Sequence, residues 1–580
     1  MATAQFVSVN IFTQDTEHTR STLSFCEPNT HHLNIWIYAI SDEPIGNRAK
    51  ALLNALIELS ELEIQPCLKF KLVQTIHHPI DQMVEYLKTL VKEQSISDSL
   101  HNENVLDLIE SFRCYLAKLY TDIFYALRKV VNDTVFSVKN YFVRKKQNTL
   151  SWYACYLALE QFSLVTCHQH MLYREALEGQ WQHTHHLYLL ACQHQYENVI
   201  INHSQDCICS QSEIESISIL YKQMLLLYLL NTQQVRPSET YALYQCSSEW
   251  AQLIRVTAKK EPLSRYIVEY KTDMPPTPIN EDQTHTVKQS FFYINVNDLF
   301  KRIQLANAPS QRHLSAKEQL YLNSSLIFHI TNTLNQSSER RYERHNFNSS
   351  IQVCFGLRSV HYRLTQAILK HQNTLKKQAR YTKNRTKSLH VIPKDSMSTT
   401  NLDFDENIYD CYILDVSVNG YRMQRQGKPP QHLHAGEFLA VQENNQSPWR
   451  CGLIRWVKQL PNKDLEFGVE ILSQHITLCY IQQYNALLEK YIYSPTLLLK
   501  KDILGQPCFF LAMPILDRLP TQKRVQLYLA NQTISIYVGH KELENPSFIL
   551  CNFDFLTLED QSKFNHLISK YDTLLKNMDL

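Results

Sequence analysis

Glycine is scarce in this chain, since only ten of its 580 residues are glycine. Six of the ten lie between Gly356 and Gly468, and only Gly46 and Gly179 come before them. Tight β turns often need the positive φ that glycine tolerates, whereas helix interiors disfavour glycine. The distribution therefore predicts a helical first part and a compact β module near residues 350–470.

Proline is absent between Pro79 and Pro237, which leaves room for uninterrupted helices. From Phe112 to Val130, apolar residues recur in steps of four and three, the spacing of one buried helix face. No repeat of fixed period is present, so we expect an irregular helical domain and not a solenoid. Helices are expected at residues 47–60, 80–97, 103–146, 150–178, 180–200 and 211–231, with a last one from about Ala316 to Leu334.

A strong net charge and long apolar runs are also lacking. The 58 basic and 56 acidic side chains give a net charge of +2, so no global field favours nucleic acid or an acidic membrane. The longest apolar run, Met224–Leu230, falls short of the roughly 20 residues of a spanning helix. The first residues lack the pattern of a signal peptide, and 15 cysteines without regular spacing suit a reducing compartment. We expect a cytoplasmic protein with no membrane span.

Signatures of catalysis are missing as well. The sequence contains no Walker loop, no Gly-x-Ser-x-Gly and no His-Glu-x-x-His, so we expect no enzyme. One stretch is crowded with thiols and imidazoles, but their scattered spacing favours packing or surface positions over a metal site, which is kept as the alternative. These residues are Cys167, His168, His170, His183, His185, His186, Cys192, His194, His203, Cys207 and Cys209.

Short β-branched or aromatic runs, several of them bounded by glycine, proline or asparagine, fill residues 346–472. Strands of this kind, about 10–20 residues apart, are typical of a small barrel. Between the first two strands lies a basic insertion at about 360–405, whose residues 361–393 include many lysines and arginines and no acid. After Leu472 we expect a helix at about 476–491 and then five further strands.

The fold class predicted from these patterns is multidomain α+β. An irregular helical domain is expected at residues 1–334, a six-stranded β-barrel with the basic insertion at 335–475, and a helix plus small β-rich domain at 476–580.

Two short segments could carry a ligand. Arg340, Arg341 and Arg344 lie in the polar linker that opens the β module, and arginine forks bind phosphate oxygens and stack on flat bases. About seventy residues later, the alternation of "LDVSVNG" places Asp415 and Ser417 on one face of a strand that leads into a turn at Gly420. Alone, each segment is typical of ordinary surface.

Their pairing and order resemble the PilZ domain family, whose members bind cyclic di-GMP. The family's Arg-x-x-x-Arg pattern is matched by Arg340 and Arg344, and its Asp-x-Ser-x-x-Gly pattern by Asp415, Ser417 and Gly420. The segment 449–472 is similar to the closing strands of such barrels. The resemblance implies that the arginines hold phosphate and guanine, with Arg341 auxiliary, while Asp415 and Ser417 contact a guanine edge.

The function expected from the resemblance is that of a cyclic di-GMP effector. The ligand would bridge linker and barrel, reorient the helical domain and so control a protein partner, with outputs such as motility, pili or biofilm. One alternative is a PilZ-like scaffold that works without nucleotide. A third hypothesis is that the basic insertion binds nucleic acid. The alternative for this segment is an ordinary solvent-exposed loop.

Overall fold

The computed structural model of the chain divides into two units, one formed by residues 1–232 and 237–338 and the other by residues 233–236 and 339–580. The structure describes residues 11–13, 20–93, 99–133, 141–200, 216–279, 290–306, 314–335, 345–382, 407–417, 420–427, 430, 433–443, 447–485, 490–503, 506–515, 524–545 and 547–576.

The first unit is mainly helical, as the scarcity of glycine predicts. Its helices are α1 (Thr30–Ile40), α2 (Ile45–Glu61), α3 (Pro66–Glu93), α4 (Ser99–Asp133), α5 (Tyr141–Met171), α6 (Gln180–Gln193), α7 (Ile217–Leu229), α8 (Pro237–Trp250), α9 (Asn297–Ala306), α10 (Ala316–Tyr321) and α11 (Ser324–Asn335). The predicted apolar face of α4 is buried, with Phe112, Leu116 and Ile123 fully shielded from solvent. Among the described residues, no helix is long and apolar enough to cross a bilayer.

Of the helix expected at 103–146, residues 103–133 are helical in α4 and residues 141–146 in α5. The helix expected from Ala316 to Leu334 is in fact two helices, since Leu322 has an extended backbone and the Asn323 side chain accepts a hydrogen bond from the amide of Leu326. An asparagine in this position caps a new helix and so ends the preceding one.

The first unit also contains a small antiparallel sheet that glycine and periodicity do not reveal. Its strands are β1 (Arg255–Thr257), β2 (Tyr266–Glu269), β3 (Thr277–Pro278) and β4 (Phe291–Asn295), in the order β1-β4-β2-β3. Strand β4 lies within the run "SFFYINV" (residues 290–296) and is one of the two interior strands of this sheet, with Phe292 and Ile294 buried.

The second unit begins with a closed six-stranded barrel, which confirms the predicted fold class. Its strands are β5 (His345–Phe355), β6 (Tyr409–Ser417), β7 (Gly420–Arg425), β8 (Phe438–Gln442), β9 (Arg450–Gln459) and β10 (Leu465–Ser473). They pair antiparallel around the barrel in the order β10-β7-β6-β5-β8-β9. Phe355 and Phe467 meet in its interior with their ring centroids 5.8 Å apart.

The basic insertion starts as a helix, α12 (Leu357–Thr382). Leu357, Val360 and Ile368 are buried in a core shared with strands of both parts of the unit. His361 is buried too, and its Nε2 lies 3.1 Å from the carbonyl oxygen of Cys479. Residues 360–370, where the insertion begins, therefore form a packed structural element and not a solvent-exposed loop, whereas residues 383–405 lie outside the described residues.

The C-terminal part is a second closed six-stranded barrel. Its strands are β11 (His475–Asn485), β12 (Lys490–Ile503), β13 (Gln506–Pro514), β14 (Arg524–Leu529), β15 (Gln532–Glu544) and β16 (Phe548–Phe555), followed by helix α13 (Leu558–Lys576). Numbered one to six from its own first strand, each barrel pairs its strands in the cyclic order 1-2-3-6-5-4. The two barrels thus have the same topology.

The prediction of a helix at 476–491 is wrong, because residues 476–485 belong to strand β11 and residues 490–491 to strand β12, which pairs with it. Both faces of the strand are buried: Ile476 and Leu478 lie in the core shared by the two barrels, whereas Cys479 and Ile481 lie inside the second barrel. A strand covered on both sides has no polar alternation, so its apolar run cannot be told from that of a helix.

Candidate ligand site on the barrel hairpin

The hairpin of β6 and β7 carries the three described residues of the predicted site. A two-residue connection joins Ser417 to Gly420, which are paired across the strands. Between Ile413 and Asp415 the register shifts, so Leu414 has no partner on β7 and forms a bulge. Ile413 faces the buried Met423, but Asp415 comes opposite Arg422.

This bulge decides which way Asp415 faces. Without the extra residue, the alternation that buries Cys411 and Ile413 in the barrel would also place Asp415 there. Because opposite residues of an antiparallel pair share a face, the register instead puts Asp415, Ser417 and Gly420 on the side of Arg422. The predicted common face of Asp415 and Ser417 is therefore present.

The carboxylate of Asp415 is less open to water than the sequence indicates, since the residue is 8% exposed. Its Oδ2 lies 3.6 Å from Nη1 of Arg422, and Nη2 of the same guanidinium donates to Oε2 of Glu466 at 2.8 Å. The hydrogen bond to Glu466 raises the pKa of Arg422, so the guanidinium stays charged. Asp415 is thus part of a three-residue charge chain across β6, β7 and β10 and is not a solvated surface acid.

Ser417 and Gly420 shape the end of the hairpin. The Oγ of Ser417 donates to the carbonyl oxygen of Gly420 at 3.3 Å. The backbone of Gly420 does not adopt a positive φ, so turn conformation is not the reason for glycine here. A Cβ at this position would lie 2.1 Å from the carbonyl oxygen of Val469. Glycine is required because strand β10 approaches the hairpin closely.

The predicted arginines Arg340, Arg341 and Arg344 lie outside the described residues. What the structure does describe is the strand into which their segment leads. His345 pairs with Val416 and Asn346 with Asp415 in the β5–β6 ladder. The backbone that follows the arginine segment therefore enters the barrel beside the Asp415–Ser417 end of β6.

Two residues of the site, Arg422 and Glu466, are missing from the sequence prediction. Arg422 could have been found, because a two-residue hairpin that pairs Ser417 with Gly420 also pairs Asp415 with Arg422. Glu466 could not, since it comes from β10 and its place depends on how the barrel closes.

The second barrel has a hairpin in the equivalent place, between β12 and β13. There Ile503 pairs with Gln506 across a two-residue connection, as Ser417 pairs with Gly420. The position two residues before Ile503 is Lys501. Lysine, isoleucine and glutamine thus occupy the positions of Asp415, Ser417 and Gly420, so the second barrel lacks the motif.

Several of the crowded histidines of the helical unit are packed in its interior, whereas His186 and His194 are exposed. His168 contacts the carbonyl oxygen of Leu106 at 3.1 Å, and Nδ1 of His185 lies 2.9 Å from the Tyr221 hydroxyl. Burial lowers the pKa of His168 and His185 to about 4, so they are neutral at physiological pH. His203, Cys207 and Cys209 lie outside the described residues. In the part of the chain that is described, no three side chains are grouped as metal ligands.

Comparisons with known proteins agree with this architecture. A family model described as "Cyclic-di-GMP receptor FimW, N-terminal domain" matches residues 31–261. A second model, "Cyclic-di-GMP receptor FimW, middle PilZ domain", matches residues 265–403 and 369–477. The curated relative "Cyclic-di-GMP receptor FimW" from Pseudomonas aeruginosa is 21% identical over 578 residues, which covers 91% of each chain.

A solved structure, that of the K. pneumonia MrkH–c-di-GMP complex, is 15% identical and covers 30% of this chain and 86% of its own. Its TM-score of 0.15 is too low to support any argument. The family models match the helical unit and the first barrel in the order in which these occur along the chain. The chain therefore belongs to the PilZ domain family, in a large form with an N-terminal helical domain.

Proposed function

We propose that this protein is a receptor for cyclic di-GMP, which binds between the arginine segment and the β6–β7 hairpin. The observation that carries the proposal is the pairing of His345 with Val416 and of Asn346 with Asp415. Arg344 is one peptide bond from His345. The relative named a cyclic di-GMP receptor, similar over 91% of the chain, supports the same ligand.

The chemistry of the ligand matches the residues. Cyclic di-GMP carries two phosphate charges and two guanines, and Arg340 and Arg344 would hold a phosphate and stack on a guanine, with Arg341 auxiliary. A guanine edge presents N–H groups that can donate to the Asp415 carboxylate. It also presents acceptor atoms, to which the Ser417 hydroxyl would donate in place of the Gly420 carbonyl oxygen. Each charge-assisted contact contributes about 1.5–3 kcal/mol to the binding free energy. A few such contacts together reach the roughly 8 kcal/mol that micromolar binding requires.

Binding of one ligand to both segments would change the position of the helical domain, and through it the affinity for a protein partner. Only a difference in ligand affinity between the two arrangements can shift their populations. We therefore propose a receptor and not an enzyme. The protein would act in the cytoplasm on a protein partner still to be identified, in processes such as motility, pilus function or biofilm formation.

Isothermal titration calorimetry with cyclic di-GMP tests the proposal on the full chain. Wild type is expected to bind, and Arg344→Ala to bind at least about 10-fold more weakly, since one charge-assisted contact is lost. Lys501→Ala, at the equivalent hairpin of the second barrel, is the matched control and keeps wild-type affinity. No heat with wild type would instead favour the nucleotide-independent scaffold, and an unchanged Arg344→Ala titration would refute the assigned site.

A further inference from the structure

A cavity of about 600 Å³ opens on the helical unit, and its described lining residues all belong to that unit. Its walls are mostly apolar and aromatic: Phe142, Leu150 and Tyr153 come from α5, and Tyr196, Val199 and Ile200 from the segment after α6. This volume lies within the range of specific binding sites. We name it the α5 groove.

The α5 groove follows one face of a helix. Phe142, Lys146, Thr149 and Tyr153 recur at steps of four, three and four, so the wall extends along three turns, or about 16 Å. A wall of this length and periodicity suits a segment of another helix, whose side chains at the same spacing would enter the groove.

The floor of the groove is held in place before any partner arrives. Trp152 and Tyr196 stack with their centroids 4.6 Å apart and their planes at 13°. Nδ2 of Asn148 donates to the Tyr196 hydroxyl at 2.9 Å, and Nη1 of Arg128 donates to Oδ1 of Asn148 at 2.7 Å. A preformed surface reduces the entropy lost on binding.

The apolar side chains around the groove are open to solvent. Phe142 is 77% exposed, Ile200 53% and Val199 42%. A contiguous exposed group of this kind marks an interaction site more often than isolated apolar residues do.

Charge defines the partner. Lys145 and Lys146 are exposed and line the groove, and among the described residues that line it none is acidic. We infer that the α5 groove binds an amphipathic helix of a partner protein, with leucine or aromatic side chains on one face and glutamate or aspartate beside them. A flat anionic bilayer would meet the same lysines, but it would not fill a concave groove.

The partner is unidentified, so the test selects it by chemistry. The full-length chain is used to select from a random-peptide display library, with counter-selection against Thr149→Trp, which fills the groove. We expect selected peptides to carry apolar residues at helical spacing flanked by acids, and Lys145→Glu/Lys146→Glu to weaken their binding about tenfold. Phe142→Ala, at an exposed side chain, should also weaken binding and keeps the test valid if Thr149→Trp disturbs folding.

Two results would overturn the inference. One is that no selected peptide distinguishes wild type from Phe142→Ala and the lysine variants. The other is that vesicles of phosphatidylglycerol bind through the two lysines while no peptide does, which would assign this face to a membrane. The groove variants should bind cyclic di-GMP as wild type does, so failure here is separate from failure of the nucleotide proposal.

Discussion

Oδ2 of Asp415 lies 3.6 Å from Nη1 of Arg422, and the same guanidinium is tied to Glu466 at 2.8 Å. The motif carboxylate therefore has a fixed cationic neighbour on the next strand. Arg422 acts through Asp415, so we regard it as a positioning residue of the proposed site.

Replacing Arg422 should weaken nucleotide binding without unfolding the barrel. Arg422→Gln removes the cation that holds Asp415 in place, and we expect the Kd for cyclic di-GMP to rise about 3- to 10-fold, or roughly 1 kcal/mol. Some stability should be lost as well, because the carboxylates of Asp415 and Glu466 are only 12% and 11% exposed and lose their common cation. Calorimetry and circular dichroism measure the two effects, and lost stability without lost affinity would leave Arg422 a purely structural residue.

The motif should work in the first barrel and have no counterpart in the second. Asp415→Ala and Ser417→Ala remove an acceptor and a donor for guanine, and each should raise the Kd at least several-fold. Gln506→Ala, at the position equivalent to Gly420, should leave the Kd and the stoichiometry as they are. If titration calorimetry shows that substitutions in the two hairpins reduce the affinity equally, the second barrel also binds the ligand.

Gly420→Ala should destabilise the barrel through a steric clash. The new Cβ would meet the Val469 carbonyl at 2.1 Å, and such overpacking of backbone costs about 1–3 kcal/mol. Gly46→Ala is the control, because nothing lies within 4 Å of its Cβ position in helix α2 and alanine favours helix. In thermal unfolding, Gly420→Ala should lower the midpoint temperature and Gly46→Ala should not. An unchanged midpoint temperature for Gly420→Ala would contradict the close approach of β10.

Acid should weaken the second unit through His361. Burial lowers the pKa of this imidazole to about 4, whereas an unfolded chain titrates near 6.5. The folded state thus keeps His361 neutral. Its contribution to the free energy of unfolding is fully present above pH 6.5, and up to about 3 kcal/mol of it is lost as the pH falls towards 4. Chemical unfolding of wild type and His361→Gln should give stabilities that converge between pH 6.5 and 4; a constant difference would contradict this assignment.

The sequence was informative where side chains face two different environments. Glycine-bounded strands of the first barrel, the buried face of α4 and the shared face of Asp415 and Ser417 all follow from local patterns. Strand β11 was mistaken for a helix because both of its faces are covered, which removes the alternation. The bulge at Leu414 and the contact between Gly420 and Val469 depend on barrel closure, which no local pattern contains.

Hydrogen–deuterium exchange of the full chain, with and without cyclic di-GMP, tests the central proposal most directly. If one ligand contacts both segments, amides of residues 335–346 and of the 412–424 hairpin should gain protection together, while those of the β12–β13 hairpin stay unchanged. Protection of only one of the two segments, or of neither at saturating ligand, would contradict the account.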